Sequence, residues 1–152
     1  VEAERLKELL PWRHPFVGID QVLEVVPNRR IVATKGIAGD DFLAEAHRPD
    51  AAAFPGVMLL EGMSQCAAVL FQVTYGELGP GRFPLLGYLK ASFQGPAAFG
   101  EEVSYEVRAL KMTSTAGVFE GTAWAGGRAL AEAELAFSVP APGGSPAPGG
   151  GA

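Results

Sequence analysis

The sequence predicts an α+β fold in which one long central helix is wrapped by a curved antiparallel sheet. Three observations carry that prediction. Residues 57–75 are apolar on nearly every side of a helix, so they have to be enclosed. After residue 84 the chain has strand character throughout, with clear alternation in VSYEVRA. A Gly-Gly pair between the last two candidate strands marks a tight hairpin. One sheet cannot cover every face of such a helix, so some of its surface is expected to meet a second subunit.

The elements follow in order. Residues 2–10 (EAERLKELL) suit a short amphipathic helix that stops at Pro11. VGIDQVLEVV (17–26) reads as a strand, PNRR as a turn, and RIVATKGIA (30–38) as the returning strand, rich in β-branched residues. Residues 39–56 carry Gly, Asp and Pro and are expected to form an irregular connection. Pro55-Gly56 introduces the long helix, and Gly76, Gly79, Pro80 and Gly81 mark its end. Further strands are predicted at 84–93, 103–112, 115–125 and 128–139. In the second of these Val103, Tyr105, Val107 and Ala109 alternate with Ser104, Glu106 and Arg108, the pattern of a half-buried antiparallel strand. The last is alanine-rich and would pass for helix. The Gly126-Gly127 turn delivers it beside its predecessor, so it is assigned as strand. From 140 onward the tail PAPGGSPAPGGGA holds only Pro, Ala, Gly and Ser, too little apolar surface to offset chain entropy. The expected organisation is one domain over 1–139 and a disordered tail over 140–152.

Composition narrows the function classes. The chain is 48% hydrophobic and 19% charged, as ordinary globular domains are. A net charge of -5 argues against a nucleic-acid groove, which needs a basic face. A single cysteine, Cys66, excludes an internal disulfide framework and fits a reducing, cytoplasmic setting. The opening VEAERLKELLPWR lacks the basic start and apolar run of a secretory signal. The apolar run 57–73 is interrupted by Glu61, Ser64 and Gln65 and falls short of the roughly 20 residues of a bilayer span, so no membrane span is expected.

One acid stands inside the apolar helix. Glu61 shares a helical face with Val57, Gln65 and Ala68, and Gln65 is placed to donate an amide hydrogen bond to its carboxyl. A carboxyl held among Leu59, Leu60 and Met63 is a candidate proton donor; the plainer reading is a carboxylate that reaches solvent or pairs with a basic residue. His47, fourteen residues earlier, is one of two histidines in the chain. An imidazole titrating near neutrality is the natural general base, although most loop histidines are merely exposed. Gly56 stands at the helix start, where a residue without a side chain lets backbone N–H groups approach a carbonyl oxygen. Base, acid and oxyanion donor together suit proton abstraction beside a carbonyl with loss of a leaving group.

These residues resemble a known family. LLPWRHPFVGIDQVLEV (9–25) is similar to the L-P-H-R-Y-P-F-L-L-V-D-R-V opening of the β-hydroxyacyl-acyl-carrier-protein dehydratases of fatty acid synthesis, which have the hot-dog fold. His47, Pro49, Pro55, Gly56, Val57, Glu61 and Gln65 match the family's G-H-F-P-G-x-P-V-M-P-G-V and L-x-x-E-A-x-A-Q patterns at the same offsets. GYLKASFQGPAAFGEEV (87–103) is similar to its G-I-D-K-A-R-F-R-R-P-V-x-P-G-D-x-L segment, and the resemblance spans about residues 6–139. The chain departs from the pattern at Ala46, Arg48, Asp50 and Ala52. The resemblance implies a divergent dehydratase acting on a 3-hydroxyacyl thioester carried on the phosphopantetheine arm of acyl carrier protein. His47 would remove the C2 proton, Glu61 would protonate the departing hydroxyl, and the N–H of Gly56, helped by Val57, would hold the thioester carbonyl. It further implies a homodimer whose sites take the histidine from one subunit and the acid from the other, with three dimers often associating. No cofactor or metal is implied. The alternatives are a hot-dog acyl thioesterase, in which the helix carboxylate activates water, and an acyl-thioester-binding subunit without activity.

Other residues read more plainly. His14, among Trp12, Pro15 and Phe16, suits packing. Ser64 and Cys66 in GMSQC lack the second glycine and the strand-to-helix turn of a nucleophile elbow, and suit close helix packing. Phe71, Leu86, Tyr88, Phe93 and Phe99 are core candidates, one or two of which would line or gate an acyl tunnel. Arg48, Arg82 and Lys90 are surface charges, with an acidic carrier protein as the alternative partner.

Overall fold

Two antiparallel strands, β1 (Gln21–Val26) and β2 (Arg30–Gly36), open the described fold. They are joined through Asn28, whose φ of 64° suits the small polar side chain of a tight turn. The structure, a computed structural model, describes residues 5, 8–10, 18–37 and 53–140. Arg5, Glu8 and Leu9 are helical, in keeping with a short helix at the start. Most of the irregular connection expected at 39–56, and the Pro/Gly/Ala tail from 141 onward, lie outside the described residues.

After β3 (Ala53–Phe54) comes the long helix, α1 (Gly56–Tyr75), and then β4 (Leu85–Phe93), β5 (Ala97–Ala98), β6 (Glu102–Thr113), β7 (Ala116–Ala125) and β8 (Arg128–Ser138). Six strands form one antiparallel sheet in the order β1-β2-β6-β7-β8-β4, and β3 pairs with β5 as a separate two-stranded piece. The predicted strands are all present, within a few residues at each end. The alanine-rich segment is a strand, and Gly126 and Gly127 take φ of 56° and 76°, as its hairpin turn requires. Two details differ. Gly18 precedes β1 rather than belonging to it, and the short β3–β5 pairing arises where the sequence suggested only a connection. Two-residue strands carry no periodicity that a pattern can register.

The helix packs on the concave face of the sheet through close contacts that small residues permit. A methyl group on Gly62 would sit 2.5 Å from Cζ of Tyr105 on β6, and one on Gly121 of β7 would sit 2.9 Å from Sδ of Met63. Phe71 meets Phe137 of β8 edge-on at 5.6 Å, and Phe137 stacks on Phe119 at 4.9 Å. Leu59, Met63, Leu70 and Phe71 are buried, each contributing about 1.5–3 kcal/mol. By length and hydropathy alone the 20-residue helix would pass for a membrane span, so the length argument from the sequence was too strong; two-thirds of its apolar window is instead buried inside the protein.

On the side of the helix away from the sheet, part of the surface is met from within the protomer. That part is covered by the chain's own N-terminal segment: Leu9, Leu10, Gly18 and Ile19 are buried, and they engage the polar stripe of the helix. Gln72 Nε2 donates to the carbonyl of Leu9 and its Oε1 accepts the N–H of Leu78 at 3.1 Å. Gln65 Oε1 accepts the N–H of Gly18 at 2.6 Å. The large exposed apolar surface lies elsewhere, on β4, whose nine residues are all exposed. Among the described strands β4 is at the sheet edge, bonded only to β8.

Candidate active site

Helix α1 begins without a side-chain cap and without an acidic residue in its first turn. Pro55 precedes it, and the N–H of Met58 turns back to the Pro55 carbonyl at 3.0 Å. The N–H groups of Gly56 and Val57 belong to the first turn, which has no intrahelical acceptors for them, and they carry the positive end of the helix dipole. Val57 is 64% exposed, so this end of the helix faces outward.

Beside it is a cavity of about 350 Å³, lined by Phe54, Gly56, Leu59, Phe93 and residues 94–97. Phe93 crosses from the end of β4 and sets its ring against Gly56: a methyl group there would come within 3.0 Å of Cε1. Glycine at 56 is therefore what lets the Phe93 ring lie against the helix tip. Half of the Phe93 surface remains exposed, so the ring is a wall of this cavity rather than a core residue. Phe71, by contrast, is core.

Glu61 lies one turn further along the exposed face. The face it shares with Val57, Gln65 and Ala68 runs from solvent into the core: Val57 is exposed, Glu61 is half-buried, and Gln65 and Ala68 are buried. Gln65 Nε2 donates to Glu61 Oε1 at 3.2 Å, the contact expected from the sequence. The orientation of that amide is determined, because its other end accepts the N–H of Gly18 and must therefore be the oxygen. Glu61 itself does not line the 350 Å³ cavity. The structure thus joins Glu61 to Gln65 and sets Gly56 and Val57 at the helix tip. His47 lies outside the described residues, as do His14 and the four departures at 46, 48, 50 and 52.

Other reactive groups are accounted for. Cys66 is buried, and burial pushes its thiol up, leaving it inert as a nucleophile. Ser64 donates to the Leu60 carbonyl at 3.0 Å, a helix-internal bond, so GMSQC is packing material as expected. Glu101 accepts from Arg128 at 2.8 Å and from the N–H of Ala98 at 2.8 Å; the Arg128 guanidinium, then the backbone N–H, hold its carboxyl below the usual range. That pair ties the β5 turn to the β7–β8 hairpin. The sequence reading missed Gly18. Its one signal was a glycine within a strand-like run, which marks close backbone approach as often as a bend.

Residues 10–134 match the family described as a FabA-like domain. The chain is 38% identical over 133 residues to the "3-hydroxyacyl-[acyl-carrier-protein] dehydratase FabZ" of Symbiobacterium thermophilum, covering 87% of this chain and 92% of that one. It is 35% identical to the FabZ of Enterococcus faecalis, over 88% of this chain and 94% of the relative. Among solved structures, a chain of the dehydratase heterocomplex ApeI:P from Xenorhabdus doucetiae superposes with a TM-score of 0.76 at 20% identity, covering 90% of this chain and 91% of that chain. The smu.793 protein of Streptococcus mutans, bound to acetyl CoA, superposes with a TM-score of 0.66 at 12% identity, over 88% and 97%. At those identities the two structures speak to the fold, which is the hot-dog fold.

Proposed function

Because the chain belongs to the FabA-like family, we propose that it removes water from 3-hydroxyacyl thioesters carried by acyl carrier protein, giving trans-2-enoyl thioesters for fatty acid synthesis. The observation that carries this reading to particular atoms is the Glu61–Gln65 hydrogen bond on the exposed face of a helix whose tip offers free N–H groups. The thioester carbonyl oxygen sits at the helix tip, accepting from Gly56 and Val57. His47 takes the C2 proton, and the developing enolate charge is held by those N–H groups and the helix dipole. As the C2–C3 double bond forms, the C3–O bond breaks and Glu61 gives its proton to the departing hydroxyl, so water leaves. Gln65 holds the carboxyl toward that oxygen. The acyl chain follows the apolar cavity beside Phe54, Leu59 and Phe93.

The working unit in this reading is a homodimer, with His47 of one protomer facing Glu61 of its partner. β4 supports it. On the core side of the sheet, Leu86, Leu89, Ala91 and Phe93 stand beside the buried β8 residues Phe137, Leu135, Ala133 and Ala131, yet no helix among the described residues covers them. A second copy pairing along the free edge would extend the sheet and bury that row. Trimers of such dimers, a soluble cytoplasmic setting and a carrier protein delivering the substrate belong to the same reading.

The test is direct. Purified protein given a 3-hydroxyacyl thioester of acyl carrier protein yields the enoyl thioester; release of free thiol without enoyl product defeats the reading and points to hydrolysis. His47→Ala and Glu61→Gln each lower kcat by roughly 10²- to 10⁴-fold. Unchanged turnover in both would take these residues out of the mechanism.

A further inference from the structure

The turn of α1 that carries Glu61 is squeezed between two layers with almost no side chain in between. On the outer side, Gly18 lies so close that a methyl group on it would stand 3.1 Å from Cα and 3.3 Å from N of Gly62, and 3.3 Å from Oε1 of Gln65. On the inner side, a methyl group on Gly62 would overlap the Tyr105 ring edge, 2.5 Å from Cζ, 2.6 Å from the hydroxyl oxygen and 2.9 Å from Cε2. Tyr105 is wholly buried on β6 and cannot retreat, since that strand is bonded on both sides, to β2 and β7. Gly18 is held as firmly from its own side. Two residues on, Asp20 donates its N–H to the Thr34 carbonyl at 2.8 Å and accepts the N–H of Gly36 on Oδ2 at 2.8 Å, both within or at the end of β2.

Rigid layers on both sides determine where the helix turn can sit. They also govern an amide. The Gly18 N–H on Gln65 Oε1 turns the other end of that amide, Nε2, to Glu61. A chain of contacts therefore runs from β2 through Asp20, Gly18 and Gln65 to the carboxyl. We propose that Gly18, Gly62 and Tyr105 are positioning residues for Glu61: the glycine pair and the tyrosine ring set the depth of the helix turn, and the Gly18 N–H sets the amide that aims the carboxyl. This rests on the reading of Glu61 as the acid of the reaction.

The hydroxyl of Tyr105 adds to the argument. It is buried with no hydrogen-bond partner among the described residues, so no hydrogen bond described there accounts for the residue. The bulk of the ring edge does, because it fills the gap that Gly62 leaves.

Three variants test this, with a melting curve for each to establish folding. Gly18→Ala forces backbone apart by a few tenths of an ångström, lengthening the bond to Gln65. Expected is a fall in kcat of about tenfold with KM within about twofold, because orientation and not binding is lost. In a Gln65→Met background the same Gly18→Ala change should cost clearly less, because only its contact with Gly62 remains to act; an equal loss in both backgrounds overturns the role given to the amide. Gly62→Ala is expected to cost about 100-fold, and Tyr105→Leu in that variant to restore at least a tenth of the wild-type rate by vacating the space. Failure of Tyr105→Leu to rescue a folded Gly62→Ala protein also overturns it. Independently of turnover, Gly18→Ala should move the Gln65 side-chain amide resonances in an NMR spectrum, and unmoved resonances overturn the clamp. A wild-type chain inactive on 3-hydroxyacyl thioesters would remove the proposed function, and the NMR result would still judge the clamp.

Discussion

β6 and β4 belong to the same sheet, carry comparable apolar content and meet opposite fates. Val103, Tyr105 and Val107 of β6 point under the helix and are fully buried. Leu85, Leu86, Tyr88, Leu89 and Phe93 of β4 are all 40% exposed or more. Neither propensity nor alternation explains the difference. Position in the sheet does: β6 is central and lies beneath α1, whereas β4 is the edge strand beyond β8, past the reach of the only long helix among the described residues. One apolar strand is satisfied within the protomer. The other leaves its apolar side chains exposed.

The sharpest way to break that contrast is to charge β4. If β4 forms the proposed dimer, Leu86→Lys with Leu89→Lys leaves a folded protomer by circular dichroism and abolishes the dimer in sedimentation, and the activity with it. A dimer of wild-type strength in that variant would place the interface elsewhere. Truncation separates the strands next. Leu135→Ala or Phe119→Ala, under the helix, should cost about 2–5 kcal/mol in urea unfolding, the range for large-to-small changes in a closed core. Leu89→Ala should cost under about 1 kcal/mol at protein concentrations too low for dimers, where the side chain is already partly in water, and more as concentration rises. Equal costs at both concentrations would mean that β4 is not covered by a second copy.

Tyr105→Phe has the opposite sign. Removing a buried hydroxyl without a partner among the described residues, while keeping the ring, should stabilise the protein by about 1–3 kcal/mol, read from the denaturation midpoint. A loss of stability would reveal a partner for that hydroxyl. The smallest effect is at the exposed Glu101–Arg128 pair. Because the folded-state pKa of Glu101 is lowered, its contribution is present above the ordinary carboxylate value and is lost as pH falls through the lower, folded value. Arg128→Met should therefore lower stability slightly at neutral pH and not at all in strong acid, a difference that salt diminishes.

The local arrangement on the helix around Glu61 was legible in the sequence. Glu61 and Gln65 sit four apart on a helix, and a spacing of four guarantees a shared face. Gly56 and Val57 stand after a proline that starts the helix, so their N–H groups had to be free ends. Legibility stopped at contacts between segments distant in the chain. Gly18 and Gln65 are 47 residues apart, and nothing in VGID says that its backbone will lie on a helix turn. Nothing local said that the chain's own N-terminal segment would lie on part of the helix surface left by the sheet. Phe93 looked like core until the sheet order put it at an edge beside Gly56.

What the sequence determined by itself was whatever repeats within a few residues. That includes the strand alternation, the length of the enclosed helix, the Gly126-Gly127 turn, and the acid and amide one turn apart. Periodicity and backbone sterics act locally, so the residues involved carry their own instructions. The tertiary structure alone decided which apolar strand is buried, which segment lies over the helix, and how closely Gly18, Gly62 and Tyr105 stack. Those outcomes depend on excluded volume between parts of the chain that meet only after folding, and no local pattern encodes a distance across that gap.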